Sequence, residues 1–258
     1  KDNPEKVYPY AGISVKLGSK GTVYGRFRPG LELIRMRDLV RSHPFSDFSA
    51  LRLQDHSSRW EAGFSLNVFP QFALDVLGRF SKVSDYPAPV FPSATVSILS
   101  SGSPVYYPGW LFVTLEEVKL NEITGKIDWA FIPSLRLFGW ITFLHSDIRK
   151  NGQYSAGIRS NDVPYIPDIS AYGKISWNFY REHEIALYSR YAGNRFDDIQ
   201  NSIELPAYFL LNAKLDLKFG EYVIIFLTGE NLLDKKYDIW KGFSAPGLTG
   251  YAGIRLVL

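Results

Sequence analysis

"LLNAKLDLKF" occupies residues 210–219. From Leu211 to Phe219 every second residue is apolar: Leu211, Ala213, Leu215, Leu217 and Phe219. Between them stand Asn212, Lys214, Asp216 and Lys218. A helix repeats its faces every 3.6 residues and would spread these lysines all round itself. A strand sends successive side chains to opposite faces, so the same alternation makes one apolar face and one charged face. Two environments suit such a strand. The apolar face packs on a protein core with the charges in bulk water, or it faces lipid with the charges lining an aqueous lumen.

The pattern recurs. In "RWEAGFSLNVF" (59–69) Trp60, Ala62, Phe64, Leu66 and Val68 alternate with Arg59, Glu61, Gly63, Ser65 and Asn67. "DISAYGKISWNFY" (168–180) and "GYAGIRLVL" (250–258) alternate in the same way, and weaker versions run near 8–17, 22–28, 72–83, 112–132, 135–147, 183–195 and 221–230. Short connections, at 18–21, 70–71, 133–134, 181–183 and 220–221, take turns with long ones near 31–58, 84–109, 148–167, 196–204 and 231–248. Short turns at one end and long loops at the other describe an outer-membrane barrel. Strands this long exceed the usual globular length of about 5–6 residues and suit a membrane span of about 9–11. Tyr8, Tyr10, Trp60, Trp110, Trp177, Tyr180 and Tyr222 stand near strand ends, where interfacial aromatics are expected.

Composition agrees. Of 258 residues 16% are aromatic, and a net charge of +3 gives no reason to expect nucleic acid as a partner. There is no cysteine, which excludes disulfide scaffolds and thiolate metal sites. The mean hydropathy of −0.09 suits a barrel, because half of each strand faces water. The fold expected from the residues is all-β, an antiparallel transmembrane β-barrel with about 11 strands.

The stretch "LTGENLLDKKYDIWKGFSAPGLTGYAGIRLVL" (227–258) resembles the C-terminus of TonB-dependent outer-membrane receptors. The resemblance rests on Asn231, Leu232, Leu233, Asp234, Lys235 and Tyr237, then Pro246 and Gly247, then the strand from Gly250. "RFRPGLEL" (26–33), "RWEAGF" (59–64) and "VPYIPDISAYGKISW" (163–177) resemble further boxes of that family, in its order. Tyr251, Gly253, Leu256 and Leu258 resemble the signal read by the barrel assembly machinery, with Leu258 where a terminal Phe is usual.

The resemblance implies a barrel of about 22 strands around a plug. About 11 strands are half of that, so residues 1–258 are expected to be the C-terminal part of such a barrel, without a plug domain. It implies a receptor and transporter of the bacterial outer membrane, embedded in outer-membrane lipid. The cargo would be a scarce, large solute: an iron chelate, haem, cobalamin or similar. The implied partners are the rest of the barrel with its plug, on an upstream segment or a second polypeptide, a TonB-type energy-transducing protein acting through the plug, and the assembly machinery. The alternative is a structural half-barrel that pairs with a second chain as scaffold or anchor and does not transport.

Ligand-facing loop candidates are Arg35, Arg37, Arg41, His43 and His56, a basic set in the long segment 31–58. Haem receptors of the family carry an axial histidine in the region of His43, whereas the plainer reading makes His43 and His56 solvated loop residues. "HSD" (145–147) does not make a catalytic pair, because neighbouring strand residues point to opposite faces. No phosphate loop, zinc signature or paired-carboxylate spacing is present. Neither catalysis, a resident cofactor nor a metal site is expected.

Overall fold

The wall is built from neighbours in sequence, each strand hydrogen-bonded to the next. The computed structural model describes residues 6–32, 46–47, 53–90, 110–150 and 161–256. Its strands are β1 (Ala11–Leu17), β2 (Gly21–Phe27), β3 (Gly30–Glu32), β4 (Ser46–Asp47), β5 (Gln54–Phe69), β6 (Phe72–Val90), β7 (Trp110–Ile132), β8 (Leu135–Lys150) and β9 (Ile169–Tyr180). They continue with β10 (His183–Ala192), β11 (Arg195–Phe196), β12 (Glu204–Leu205), β13 (Tyr208–Phe219), β14 (Val223–Glu230), β15 (Asp238–Trp240), β16 (Phe243–Ser244) and β17 (Thr249–Leu256). The main sheet runs β1-β2-β5-β6-β7-β8-β9-β10-β13-β14-β17, with β3 beside β5 and β4 beside β7. The eleven strands of that path match the number read from the sequence, and every neighbouring pair along it is antiparallel.

All five expected short turns are present, and all lie at one end of the sheet. The long connections differ in detail. Residues 84–90, read as loop, continue β6, and β7 begins at Trp110. Pro87 and Pro89 mislead here. Both are of one parity, so both offer their missing N–H to the same edge. β5 has already ended there, since its last partner on β6 is Ser84, while the β7 side stays paired as far as Val90. Proline is tolerated at such an edge. The loops 196–204 and 231–248 are folded in part, as the two-stranded ribbons β11-β12 and β15-β16.

β6, β7 and β8 hold 19, 23 and 16 residues, far beyond the 9–11 or so that cross a bilayer. The excess lies at the long-loop end. There Ala88, Leu115, Val118 and Ile148 meet Val163 and Ile199 from the loops, and together they form a buried apolar cluster. Buried polar groups around it are bonded: Ser146 Oγ accepts from Val163 N–H at 2.9 Å, and Ile148 N–H donates to the Asn161 carbonyl at 2.8 Å. The outer end is thus a small packed lip above the wall.

Within the wall, register aligns the alternation from strand to strand. Leu215 faces Ile185 on β10 and Leu227 on β14. Leu187 faces Ile175, and Ile225 faces Ile254. This apolar face stays open although it is almost wholly hydrocarbon: Ile123 is 50% exposed, Leu187 47% and Ile254 68%. A water-facing surface of that kind would be a large exposed patch; against lipid it needs no cover. Phe209 and Phe219 are both exposed on this face of β13. Ten residues separate them, about 24 Å along a strand tilted near 45°, close to the height of a lipid-facing band. Trp60, Trp177, Tyr180 and Tyr222 are exposed as girdle residues should be. Tyr8 departs from the girdle pattern, since its hydroxyl donates to Asp55 at 3.1 Å.

Two glycines let rings lie flat on the opposite face. A Cβ on Gly63 would stand 2.9 Å from the Tyr24 hydroxyl and 2.4 Å from the Val76 carbonyl oxygen. A Cβ on Gly253 would stand 2.6 Å from the Phe226 ring. The glycine of the assembly signal therefore also has a packing reason.

Among the described residues β1 pairs only with β2, and β17 only with β14. Both ends of the sheet are open edges, and residues 11–17 do not meet residues 249–256. First and last strands of an eleven-strand antiparallel run point the same way, so they cannot close on each other antiparallel. Whatever completes an antiparallel barrel must supply an odd number of strands.

Two measurements check this arrangement. Leu215→Arg in the complete barrel should lower stability by about 2–4 kcal/mol, whereas Lys214→Gln on the other face should cost little; unfolding by urea from lipid vesicles reads both. Gly253→Ala should slow or reduce folding into vesicles, and Phe226→Ala combined with it should restore part of the loss.

Candidate functional site

The second face of the wall is polar and concave. Two cavities open on it, and apart from Phe72 at the start of β6 the strand residues that line them belong to its register. Cross-strand ion pairs hold it. The Glu61 carboxylate is only 6% exposed and accepts from Arg79 Nε at 3.2 Å and from Arg28 at 3.4 Å. Arg79 also reaches Glu122 at 3.2 Å. Thr124 donates to Glu122 at 3.1 Å and bonds Thr142 at 2.8 Å. This chain of contacts links Arg28, just past the end of β2, with β5, β6, β7 and β8. Farther round, Arg136 Nε donates to Asp128 at 2.6 Å, Lys174 pairs with Glu184 at 3.2 Å, and Lys214 pairs with Asp216. The pairs leave few of these charges free to repel one another.

One cavity, about 640 Å³, lies at the short-turn end between Gln71, Asp128, Arg136, Lys174 and Glu184. The other, about 420 Å³, lies higher, between Tyr172, Tyr188, Arg190, Glu230 and the loop that follows β14.

The loop after β14 carries the family-like C-terminal motif. Asn231 is buried at φ 51°, in the left-handed region that asparagine tolerates. Its side-chain NH₂ donates to the carbonyls of Lys235 (2.9 Å) and Pro246 (3.2 Å), and its Oδ1 accepts from Lys235 N–H at 2.9 Å. Its own N–H donates to Asn212 Oδ1 at 2.8 Å. Asp234, at φ 48°, accepts from Leu248 N–H at 2.9 Å. Gly247 leaves room for that carboxylate, since a Cβ there would stand 2.3 Å from its oxygen. Leu232 N–H donates to the Leu211 carbonyl at 2.8 Å, and Tyr237 lies 4.2 Å, ring to ring, from Tyr208. The motif residues Asn231, Leu232, Asp234, Tyr237, Pro246 and Gly247 thus fold one outer loop back onto the wall.

His56 is the one ligand-loop candidate among the described residues, and it is not in a loop. It lies buried on β5, opposite Gly30 of β3, because β5 begins at Gln54. Its Nε2 is 3.0 Å from Glu32, and Arg59 reaches both. Burial, with the Arg59 guanidinium second, pushes its pKa down to about 4. Arg35, Arg37, Arg41, His43 and Leu258 lie outside the described residues. Tyr251, Gly253 and Leu256 line up on the edge strand β17, where the Tyr251 hydroxyl donates to Glu230 at 2.8 Å. His145 is exposed while Ser146 is buried, as opposite faces require.

No protein-family model matches the chain. Solved structures match nearly all of it. The siderophore receptor PiuA from Acinetobacter baumannii covers 96% of the chain at a TM-score of 0.68 and 15% identity. The ferric yersiniabactin uptake receptor FyuA from Yersinia pestis covers 98% at 0.65 and 13%. The copper transporter OprC covers 96% at 0.68 and 11%. The fold is that of the TonB-dependent receptor barrel. The chain spans 35%, 38% and 38% of the length of these three proteins. In a receptor barrel the polar concave face is the lumen wall, and the long-loop end is the outer mouth.

Two outcomes test the local chemistry. Asn231→Ala removes three side-chain hydrogen bonds at about 0.5–1.5 kcal/mol each, so stability should fall by about 2–4 kcal/mol and the amides of 235–247 should exchange faster. His56 is held below the 6.5 of a free histidine, so an opened segment binds the extra proton. The β3-β5 contact should therefore be intact above about pH 6.5 and loosen as pH falls towards 4, with faster amide exchange at 30–32 and 54–56. In His56→Gln the part of that dependence between about pH 6.5 and 4.5 should be gone, leaving only the Glu32 carboxyl, which Arg59 holds below its usual range.

Proposed function

We propose that this chain forms the C-terminal part of the barrel of a TonB-dependent importer in the bacterial outer membrane. The cargo would be a scarce, large solute such as an iron chelate, haem or cobalamin. The observation that carries the reading is an eleven-strand open sheet with one hydrocarbon face and one ion-paired concave face. The names of its structural neighbours, siderophore receptors and a copper transporter, support transport over other uses of the fold. The rest of the barrel and a plug complete the lumen. A TonB-type protein works on that plug from inside, and the assembly machinery inserts the wall. No bond in the cargo is broken, so the wall needs no catalytic group. Its task is to bind weakly at the mouth, stay hydrated and let the solute pass.

The basic segment 31–58, with Arg35, Arg37, Arg41 and His43, is assigned to the ligand-facing mouth. It follows Arg28 and Pro29, and its arginines suit an anionic chelate.

Uptake by cells that carry the complete receptor tests this reading. Accumulation of radiolabelled ferric chelates, haem and cobalamin should be energy-dependent and should stop when the TonB-type protein is absent. Replacing Arg35, Arg37 and Arg41 together by alanine should weaken binding of an anionic cargo by about tenfold or more, since each charge-assisted bond contributes roughly 1.5–3 kcal/mol. His43→Ala should lower affinity only if the cargo is haem. Normal folding with no uptake of any solute, with or without energy, would favour a scaffold in place of an importer.

A further inference from the structure

The concave face balances its charges locally. Arg79 has Glu61 and Glu122, Arg136 has Asp128, Lys174 has Glu184, Lys214 has Asp216, and Lys218 has Glu182. Lys126 stands directly across from Asp75, and Arg26 directly across from Glu61. Arg190 shares a cavity with Glu230. Each of these cations has its carboxylate on its own strand, on an adjoining strand or turn, or across the same cavity.

Two cations of this face break the rule, and they sit on the two edge strands. Lys16 belongs to β1 and stands across from Thr22. Neither β1 nor β2 contains a carboxylate. Arg255 belongs to β17 and stands across from Ile224. β17 contains no carboxylate, and the one on β14, Glu230, lies at the far end of that strand and accepts from the Tyr251 hydroxyl. Arg255 lies over the Phe226 ring at 5.8 Å, which leaves its charge without a counter-ion. Among the described residues neither Lys16 nor Arg255 has an ion pair or a side-chain hydrogen bond. Both stand at the short-turn end of their strands, one residue before Leu17 and Leu256. Cations left for a plug or for water would be scattered round the wall. These are confined to the strands whose outer edges are open.

We propose that whatever completes this barrel docks on both edges through carboxylates: the strand that joins β1 places an Asp or Glu beside Lys16, and the strand that joins β17 places one beside Arg255. Both edge strands run towards the short-turn end, so both joining strands, being antiparallel, run away from it. Each carries its carboxylate near its start, on the lumen-facing parity. Opposite charges across a strand pair stabilise it, and like charges directly opposite destabilise it. The two pairs also fix register. Backbone bonding at a free edge is equally good after a slip of two residues, and an apolar face in lipid barely notices one, whereas a carboxylate moved away from Lys16 or Arg255 does. The inference needs the wall to close into a barrel and needs no cargo, so it goes beyond the importer reading and holds equally for a scaffold.

The test treats the complete barrel in detergent micelles with a water-soluble carbodiimide, which joins an amine to a carboxylate in contact with it. Peptide mass spectrometry should find Lys16 joined to an Asp or Glu outside residues 1–258, in a segment of alternating apolar and polar residues. Arg255→Lys should yield a second product, to a different strand. Lys16→Arg keeps the charge and cannot react, so the first product should vanish while heat-modified gel mobility stays that of the folded barrel. Replacing the carboxylate so identified by lysine should lower the urea midpoint of unfolding, and adding Lys16→Glu should restore most of the loss. Lys16 joined to a plug residue, to a residue within 1–258 or to nothing would overturn the proposal. So would the absence of a product from Arg255→Lys, or a charge swap no more stable than the single reversal. Uptake enters neither arm, so a barrel that carries both bonds and imports nothing counts against the importer reading alone.

Discussion

Lipid offers no hydrogen bond to a peptide group, and that single fact organises the wall. Every N–H and C=O at membrane depth has to find its partner on an adjacent strand. Neighbouring strands are therefore sequence neighbours, joined at one end of the sheet by short turns. The side-chain pattern follows from the same constraint. Once strands are pinned edge to edge, alternate residues must face opposite ways, and each strand has to be greasy on one parity and wet on the other. Where the constraint relaxes, above the membrane, the chain behaves differently. It breaks alternation, admits Pro87 and Pro89, and builds a conventional buried cluster around Leu115 and Ile148.

The ion pairs of the concave face serve the register as much as the lumen. Glu61, Arg79 and Glu122 are direct cross-strand partners on β5, β6 and β7. A slip of one residue would turn Arg79 into hydrocarbon and leave two carboxylates without it. A slip of two residues keeps every side chain on its own face, and there hydrophobic contact discriminates little, since one exposed isoleucine on lipid is much like another; the ion pairs mark that register. The outer loop after β14 uses a different device. Asn231 and Asp234 adopt left-handed backbone conformations and spend their side chains on nearby amides and carbonyls. The loop is thereby tied down at the rim of the lumen without a core of its own.

Much of this was legible in the sequence because alternation reports burial parity directly. Leu211 to Phe219, Trp60 to Val68 and Ile169 to Phe179 all lie on the faces their spacing indicates. The short turns were legible for the same reason, as interruptions of the pattern. The lip was not. Residues 84–90 lose alternation once β5 ends, and proline there reads as loop when it marks an edge. His56 was misplaced because the strand starts before its alternation becomes clear. The cavity beside Arg190 could not be seen from one strand. Tyr172, Arg190, Asn212 and Glu230 come from four strands, and only register places them side by side.

The open edges carry a rule about copy number. β1 and β17 run in the same direction, so a second molecule inserted with the same topology would offer only co-directional strands at either junction. Two copies of this chain cannot close an antiparallel ring, and neither can any larger number of them. Closing such a ring takes an odd number of further strands beside each wall. Without them, each edge in lipid is a row of amides and carbonyls with nothing to bind. The hydrogen-bonding direction of two peripheral strands sets that rule without a single specificity-determining side chain.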